Sequence, residues 1–125
     1  MNRHAFVLIT IIFILTSTSC MVNYPMTTFY VKNNTDRTLN FKASIMKHTS
    51  MGLMEMTLPF SVPPHDSIVA RKVNRKIDAP PTTWFTKFII FPTDSVWFND
   101  PKSQENWIKS INAKGKPDYT FIMTK

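Results

Sequence analysis

The chain is short of the residues on which most catalytic sites are built. One cysteine in 125 residues cannot close an intrachain disulfide, so the fold must hold through its core alone. Two glycines leave no glycine-rich loop to cradle a phosphate. The three histidines, His4, His48 and His65, stand in no metal-ligand spacing with one another or with the cysteine. Glu55 and Glu105 are the only glutamates, and no paired carboxylates are set for acid–base work. His65-Asp66-Ser67 contains the residue types of a hydrolytic triad, but neighbours in an extended chain point to opposite sides and form no relay. These absences argue against an enzyme and against a bound cofactor. No apolar run reaches the roughly 20 residues that a membrane-spanning helix needs.

What is present begins at the N-terminus. Arg3 and His4 precede the apolar run from Ala5 to Leu15, broken only by Thr10, and a small-residue stretch, Thr16-Ser17-Thr18-Ser19, leads to Cys20. A basic start, a short apolar run and small residues are the parts of a cleaved signal peptide. The stretch Leu15-Thr16-Ser17-Thr18-Ser19-Cys20 resembles the lipobox of bacterial lipoproteins, with Leu15 two places further back than the usual aliphatic position. The resemblance implies cleavage before Cys20 and acylation of that cysteine. It divides the chain into a signal peptide over residues 1–19, a lipidated tether over 20–25 and a folded domain over 26–125. Acylation would also remove an unpaired thiol from an oxidising compartment. Met21-Val22-Asn23-Tyr24-Pro25 carries neither the aspartate of inner-membrane retention nor an acidic surface-export cluster, so the expected location is the outer membrane, facing the periplasm.

Removing residues 1–19 leaves 106 residues with 14 basic and 8 acidic side chains, a surplus of six. That length supports one domain. The surplus suits acidic neighbours such as lipid head groups, lipopolysaccharide or an acidic protein, whereas nucleic acid is not met by an exported lipoprotein. Arg71-Lys72 and Arg75-Lys76 are the only basic pairs.

Nine prolines and sixteen aromatic residues predict short strands separated by turns. Alternation places strands at Thr27–Lys32, Thr38–Met46, Met56–Val62, Ser67–Val73, Trp84–Phe91, Val96–Phe98 and Tyr119–Thr124. In the second, Leu39, Phe41, Ala43 and Ile45 face one way and Thr38, Asn40, Lys42 and Ser44 the other. Pro59 marks the third as an edge or bulged strand. Trp84–Phe91, apolar on both faces, reads as a central strand. Asp100 as N-cap and Pro101 at the first helical position predict a short helix near residues 101–112, packed through Gln104, Trp107, Ile108 and Ile111. The expected fold is all-β with one short helix, a two-sheet antiparallel sandwich of immunoglobulin-like or transthyretin-like type.

The segment Met46–Met56 reads as a methionine-rich loop, with Lys47, His48, Met51, Leu53 and Met54 as an adaptable contact for a protein partner. The alternative for the same segment is Cu(I) ligation by Met46, His48, Met51 and Met54, since thioethers and imidazole suit that ion. Asp66-Ser67-Ile68 and Asp94-Ser95-Val96 resemble the O-glycosylation signal of some gram-negative anaerobes, with Ser67 and Ser95 as acceptors, although both also read as strand starts with Asx turns. Over the mature length the chain is similar to the small β-sandwich lipoproteins of such bacteria and, more distantly, to the small outer-membrane lipoproteins of type VI secretion membrane complexes. That similarity implies a non-enzymatic anchoring or interaction module of an envelope assembly. The alternative is a periplasmic binding protein for Cu(I) or an envelope glycan.

Overall fold

The computed structural model describes residues 26–74 and 79–125. The expected signal peptide, Cys20, the expected tether and the Arg75-Lys76 pair lie outside these residues. The described residues fold as two packed β-sheets. One has the order β4-β1-β7-β6, built from Ser67–Asn74, Met26–Lys32, Pro117–Ile122 and Trp107–Ile111. The other has the order β3-β2-β5, built from Gly52–Val62, Leu39–Thr49 and Lys87–Ile90. Among the described residues all pairings are antiparallel except one, since β1 and β7 run parallel and pair Phe29 with Tyr119 and Val31 with Phe121. The first and last strands of the described residues are thus central neighbours in one sheet.

Alternation explains the core. Phe29 and Val31 from β1, Leu39, Phe41 and Ala43 from β2, and Tyr119 and Phe121 from β7 point inward and are buried. Rings from both sheets meet there: Phe41 stacks on Phe88 at 4.7 Å, and Trp107 packs against Phe29, Phe85, Phe88 and Phe121 at 6.1, 5.8, 6.0 and 5.2 Å. Edge-to-face and offset pairs at these separations add to the burial of large apolar area. The seven strands of the described residues pack around this one cluster.

The helix expected near 101–112 is replaced by a single 3-10 turn at Gln104–Asn106 and by strand β6. The start signal is obeyed locally, because Asp100 Oδ1 accepts from the Lys102 N–H at 2.9 Å and the Asp100 carbonyl accepts from Ser103 N–H at 3.2 Å. Beyond it, Trp107-Ile108-Lys109-Ser110-Ile111 pairs with β7, which a helix there would leave with a bare edge. Trp107 is buried as expected, but Ile108 and Ile111 are exposed, Ile111 by 64%. Two further strand readings shift. Val96–Phe98 is reduced to one bridge between Phe98 and Thr124. Trp84–Phe91 contributes only β5, and β5 lies at an edge rather than at the centre, with Ile89 and Phe91 outward and exposed. An apolar residue on each face is thus not the mark of a covered strand here. The central strand is β2, whose wet-face Ser44 is buried through a 2.6 Å hydrogen bond to Thr57.

The two ends of the sandwich differ. Met26, Asn74 and the turn from Asn112 to Lys116 share one end: Met26 pairs with Asn74, and Asn112 Nδ2 donates to the Met26 carbonyl at 3.2 Å. The opposite end is organised by Asn33. Its buried amide donates to the carbonyls of Arg37, Val62 and Pro63 at 2.6, 3.0 and 3.1 Å, which fixes the start of β2 and the end of β3 beside the end of β1.

Candidate functional site

The segment Met46–Met56 is not a loop. It is the distal half of a β-hairpin, β2 and β3 pairing from Leu39↔Val62 out to Thr49↔Gly52 around the turn at residues 50–51. Thr49 Oγ1 closes the turn by donating to the Gly52 carbonyl at 2.9 Å and accepting from Met51 N–H at 3.2 Å. Gly52 has φ +107°, a backbone conformation that a side-chain-bearing residue adopts only under strain. A strand–turn–strand with one glycine and polar turn residues has a sequence signature, but the four methionines hide it by looking like irregular apolar chain.

This hairpin outruns the rest of the sandwich. The N–H of Thr86 donates to the Ser44 carbonyl at 2.8 Å, and Phe85 meets Phe29 at 5.6 Å, so Ser44 lies level with the middle of β1. From that level β1 has three residues left before its end at Met26, whereas β2 has five more before the turn. At ~3.3 Å per residue the turn projects past Met26 by on the order of 10 Å. Beyond Ser44, β2 has lost its neighbour β5, so the hairpin continues as a two-stranded arm.

Both edges of the arm are open. On β2 the even-numbered residues direct their backbone groups toward β5, as the bonds to Asn40 and Ser44 show, and the odd-numbered ones toward β3. In register, the odd-numbered residues of β3, Leu53 through Ser61, therefore direct theirs away from β2. Pro59 occupies one of these outward slots, where its missing N–H costs the ladder nothing, and this is how an edge strand accommodates it. Past β5 the backbone groups of Met46 and His48 face outward on the other side.

The side chains of the arm are correspondingly uncovered. Met51 is 87% exposed, Leu53 54%, Met54 49% and Met46 39%. Register separates them: His48 pairs with Leu53 and Met46 with Glu55 on one face, whereas Lys47 pairs with Met54 on the other. The Cu(I) set of Met46, His48, Met51 and Met54 is thus split, with Met46 and His48 on one face, Met54 on the other and Met51 at the turn. For a protein contact the same split offers apolar groups on two faces with Lys47 and His48 beside them. Glu55 forms a 3.0 Å ion pair with Lys87 of β5, the one charged tie between arm and sandwich among the described residues. Both groups are solvated, so it adds little stability.

The remaining site residues are dispersed. Ser67 is exposed at the start of β4, its N–H donating to Asp66 Oδ1 at 2.7 Å, and Ser95 is exposed in a turn at φ +63°. Asp66-Ser67 is therefore a strand start and Asp94-Ser95 a turn, and both serines are exposed. His65 lies in another turn at φ +53°, at the far end of the sandwich from His48. No group of three His, Cys, Asp or Glu capable of holding a metal occurs among the described residues. Arg71 lies with its guanidinium 5.4 Å from the Trp84 ring and donates to the Trp84 carbonyl, and burial lowers it from its ordinary value. It ties β4 to the segment leading into β5, a structural task.

A shallow hollow on the outer face of the four-stranded sheet lies between Lys72 and Lys114, with Thr28 and Asp118 in its floor. Asp118 Oδ1 there accepts from Thr28 N–H at 3.0 Å and from Asn112 Nδ2 at 3.1 Å, so this carboxylate braces β1 against the turn after β6. No protein-family model, curated protein or solved structure matches the chain.

Proposed function

We propose that this chain is a non-enzymatic, membrane-tethered interaction module: an outer-membrane lipoprotein, anchored through acylated Cys20 and facing the periplasm, that joins an envelope protein assembly through the β2–β3 arm. A membrane complex of type VI secretion is one assembly of the right kind. The observation that carries the reading is the arm itself. An isolated two-stranded ribbon is marginal in water, and one that exposes three methionines and a leucine on top of open edges gains most by being covered. Methionine side chains adapt to a partner surface without a fixed shape of their own. The rigid sandwich behind the arm, with its aromatic core, needs none of these side chains for packing.

Replacing Met51, Leu53 and Met54 together with serine tests this. The thermal midpoint should fall by no more than about 12 °C, because substitutions of exposed residues away from the core usually change stability by less than ~0.5 kcal/mol each, about 1.5 kcal/mol for the three together. In gently solubilised membranes the wild-type chain should migrate as part of a larger species and the variant as the domain alone. A collapse in stability would make these residues structural, and unchanged migration of a stable variant would remove the arm as the contact.

A further inference from the structure

We infer that the Met26 end of the sandwich is a docking face for the phosphate-bearing head groups of an anionic lipid leaflet, which holds the domain upright with its arm at the level of the membrane surface. The first observation is a segregation of charge. Lys47, Lys72, Lys114 and Lys116 stand at the Met26 end, against Glu55 and Asp118, and Lys87, in register with Ser44, lies nearer the middle. Glu55 is paired with Lys87, and Asp118 accepts from Thr28 and Asn112 while keeping its charge, so Lys47, Lys72, Lys114 and Lys116 outnumber it and leave a positive surplus at this end. At the opposite end Asp36, Asp66, Asp94, Asp100 and Glu105 exceed Lys32, Arg37 and Lys125, and Lys102 lies on the flank beside Lys87. The Met26 pole thus carries a net positive charge and the opposite pole does not, with Lys42, Arg71 and Lys109 along the strands between them.

The second observation is where the chain enters. Met26 begins β1 at the basic pole, and Cys20 lies six residues before it. Six residues span at most about 20 Å even when fully extended. A tether of that length brings the basic pole, not the acidic one, against the bilayer. The third is the company these lysines keep: Ile111 and Met26 are exposed beside them, the mixture of cation and apolar side chain that interfacial surfaces use. Cations within a Debye length of an anionic leaflet are attracted cumulatively, and salt weakens the attraction. The biological setting rests on the tethered-module reading, but the surface can be examined without the anchor. If the face docks as inferred, the arm's partner lies in or on the membrane.

The test uses the fragment from Tyr24 to Lys125, which contains the seven described strands and their core cluster, with vesicles of phosphatidylcholine alone or mixed with phosphatidylglycerol. Binding should require phosphatidylglycerol and fall as salt is raised. Lys72→Glu, Lys114→Glu and Lys116→Glu together should weaken it by on the order of a hundredfold or more. The same reversal away from this pole, Lys32→Glu, Lys102→Glu and Lys125→Glu, changes net charge identically and should leave most of the binding in place. The Met51, Leu53 and Met54 serine variant should bind as the wild type does. Binding indifferent to phosphatidylglycerol, or equal losses from the two charge reversals, would overturn the docking face. Loss of binding in the serine variant alone would overturn it too, in favour of insertion of the arm into lipid. Since the fragment lacks Cys20, none of these outcomes depends on acylation.

Discussion

Trp107→Ala should lower the stability of the domain by about 3–5 kcal/mol, the range for deleting a large buried aromatic side chain. The indole is the meeting point of four other rings, Phe29, Phe85, Phe88 and Phe121, contributed by β1, β5, β7 and the segment before β5. Its removal leaves a cavity at the one place where both sheets and the connection between them touch. The Pro101 carbonyl also loses the 2.9 Å bond from Nε1 that holds the turn before β6. Denaturant unfolding followed by circular dichroism measures the loss, and a change under about 0.5 kcal/mol would place the indole outside the core. Trp107→Phe keeps most of the ring contacts and should recover a large part of the difference.

The second large effect is expected at Asn33. Asn33→Ala should cost about 3 kcal/mol, because it leaves the carbonyls of Arg37, Val62 and Pro63 without their buried donor and the Thr35 N–H without Oδ1, which accepts at 2.9 Å. Asn33→Asp is the sharper variant. It keeps the shape and the acceptor to Thr35 but turns an oxygen toward three carbonyls. The folded chain then holds the carboxyl proton more tightly than the unfolded chain does. Its stability is therefore greatest below the ordinary carboxyl range near pH ~4 and falls as pH rises through the raised folded-state value. The wild-type asparagine has no such dependence. Equal stability of the Asn33→Asp variant at low and at neutral pH would show that the amide donors are not what holds this corner.

Asn33 also shows what sequence patterns can and cannot carry. Asn33-Asn34-Thr35-Asp36 is recognisable as a turn from residue types alone. The fastening of that turn to residues 62 and 63 is a long-range fact with no local signature. The same division runs through the fold. Strands β1 to β4 and β7 follow from alternation, because one buried and one wet face leave a period of two in the sequence. Strand β6 did not follow, because Gln104, Trp107, Ile108 and Ile111 fit a helical period as well, and a well-formed cap preceded them. The pairing with β7 decided between the two. The edge position of β3 was legible in Pro59, whereas that of β5 was not, because its apolar outward residues mimic burial. At the candidate site the residues were visible as an unusual run of methionines. Their geometry, an arm with two faces and two open edges, depended on a hairpin register that extends past the point where β5 ends.

The concentration of basic side chains at the Met26 end was invisible in sequence for a related reason. Lys47, Lys72, Lys114 and Lys116 are scattered over 70 positions, and only the up-and-down course of the strands gathers them. The proposed tether rests on the sequence and not on the fold.

That tether is the premise on which location, orientation and the level of the arm depend, and the intact mass of the protein extracted from membranes tests it most directly. The proposed function predicts a chain beginning at Cys20 with fatty acids attached to that residue, and a Cys20→Ala variant found only in processed or precursor forms without added lipid. A soluble wild-type chain of unmodified mass, whether uncut or cut elsewhere, would contradict it.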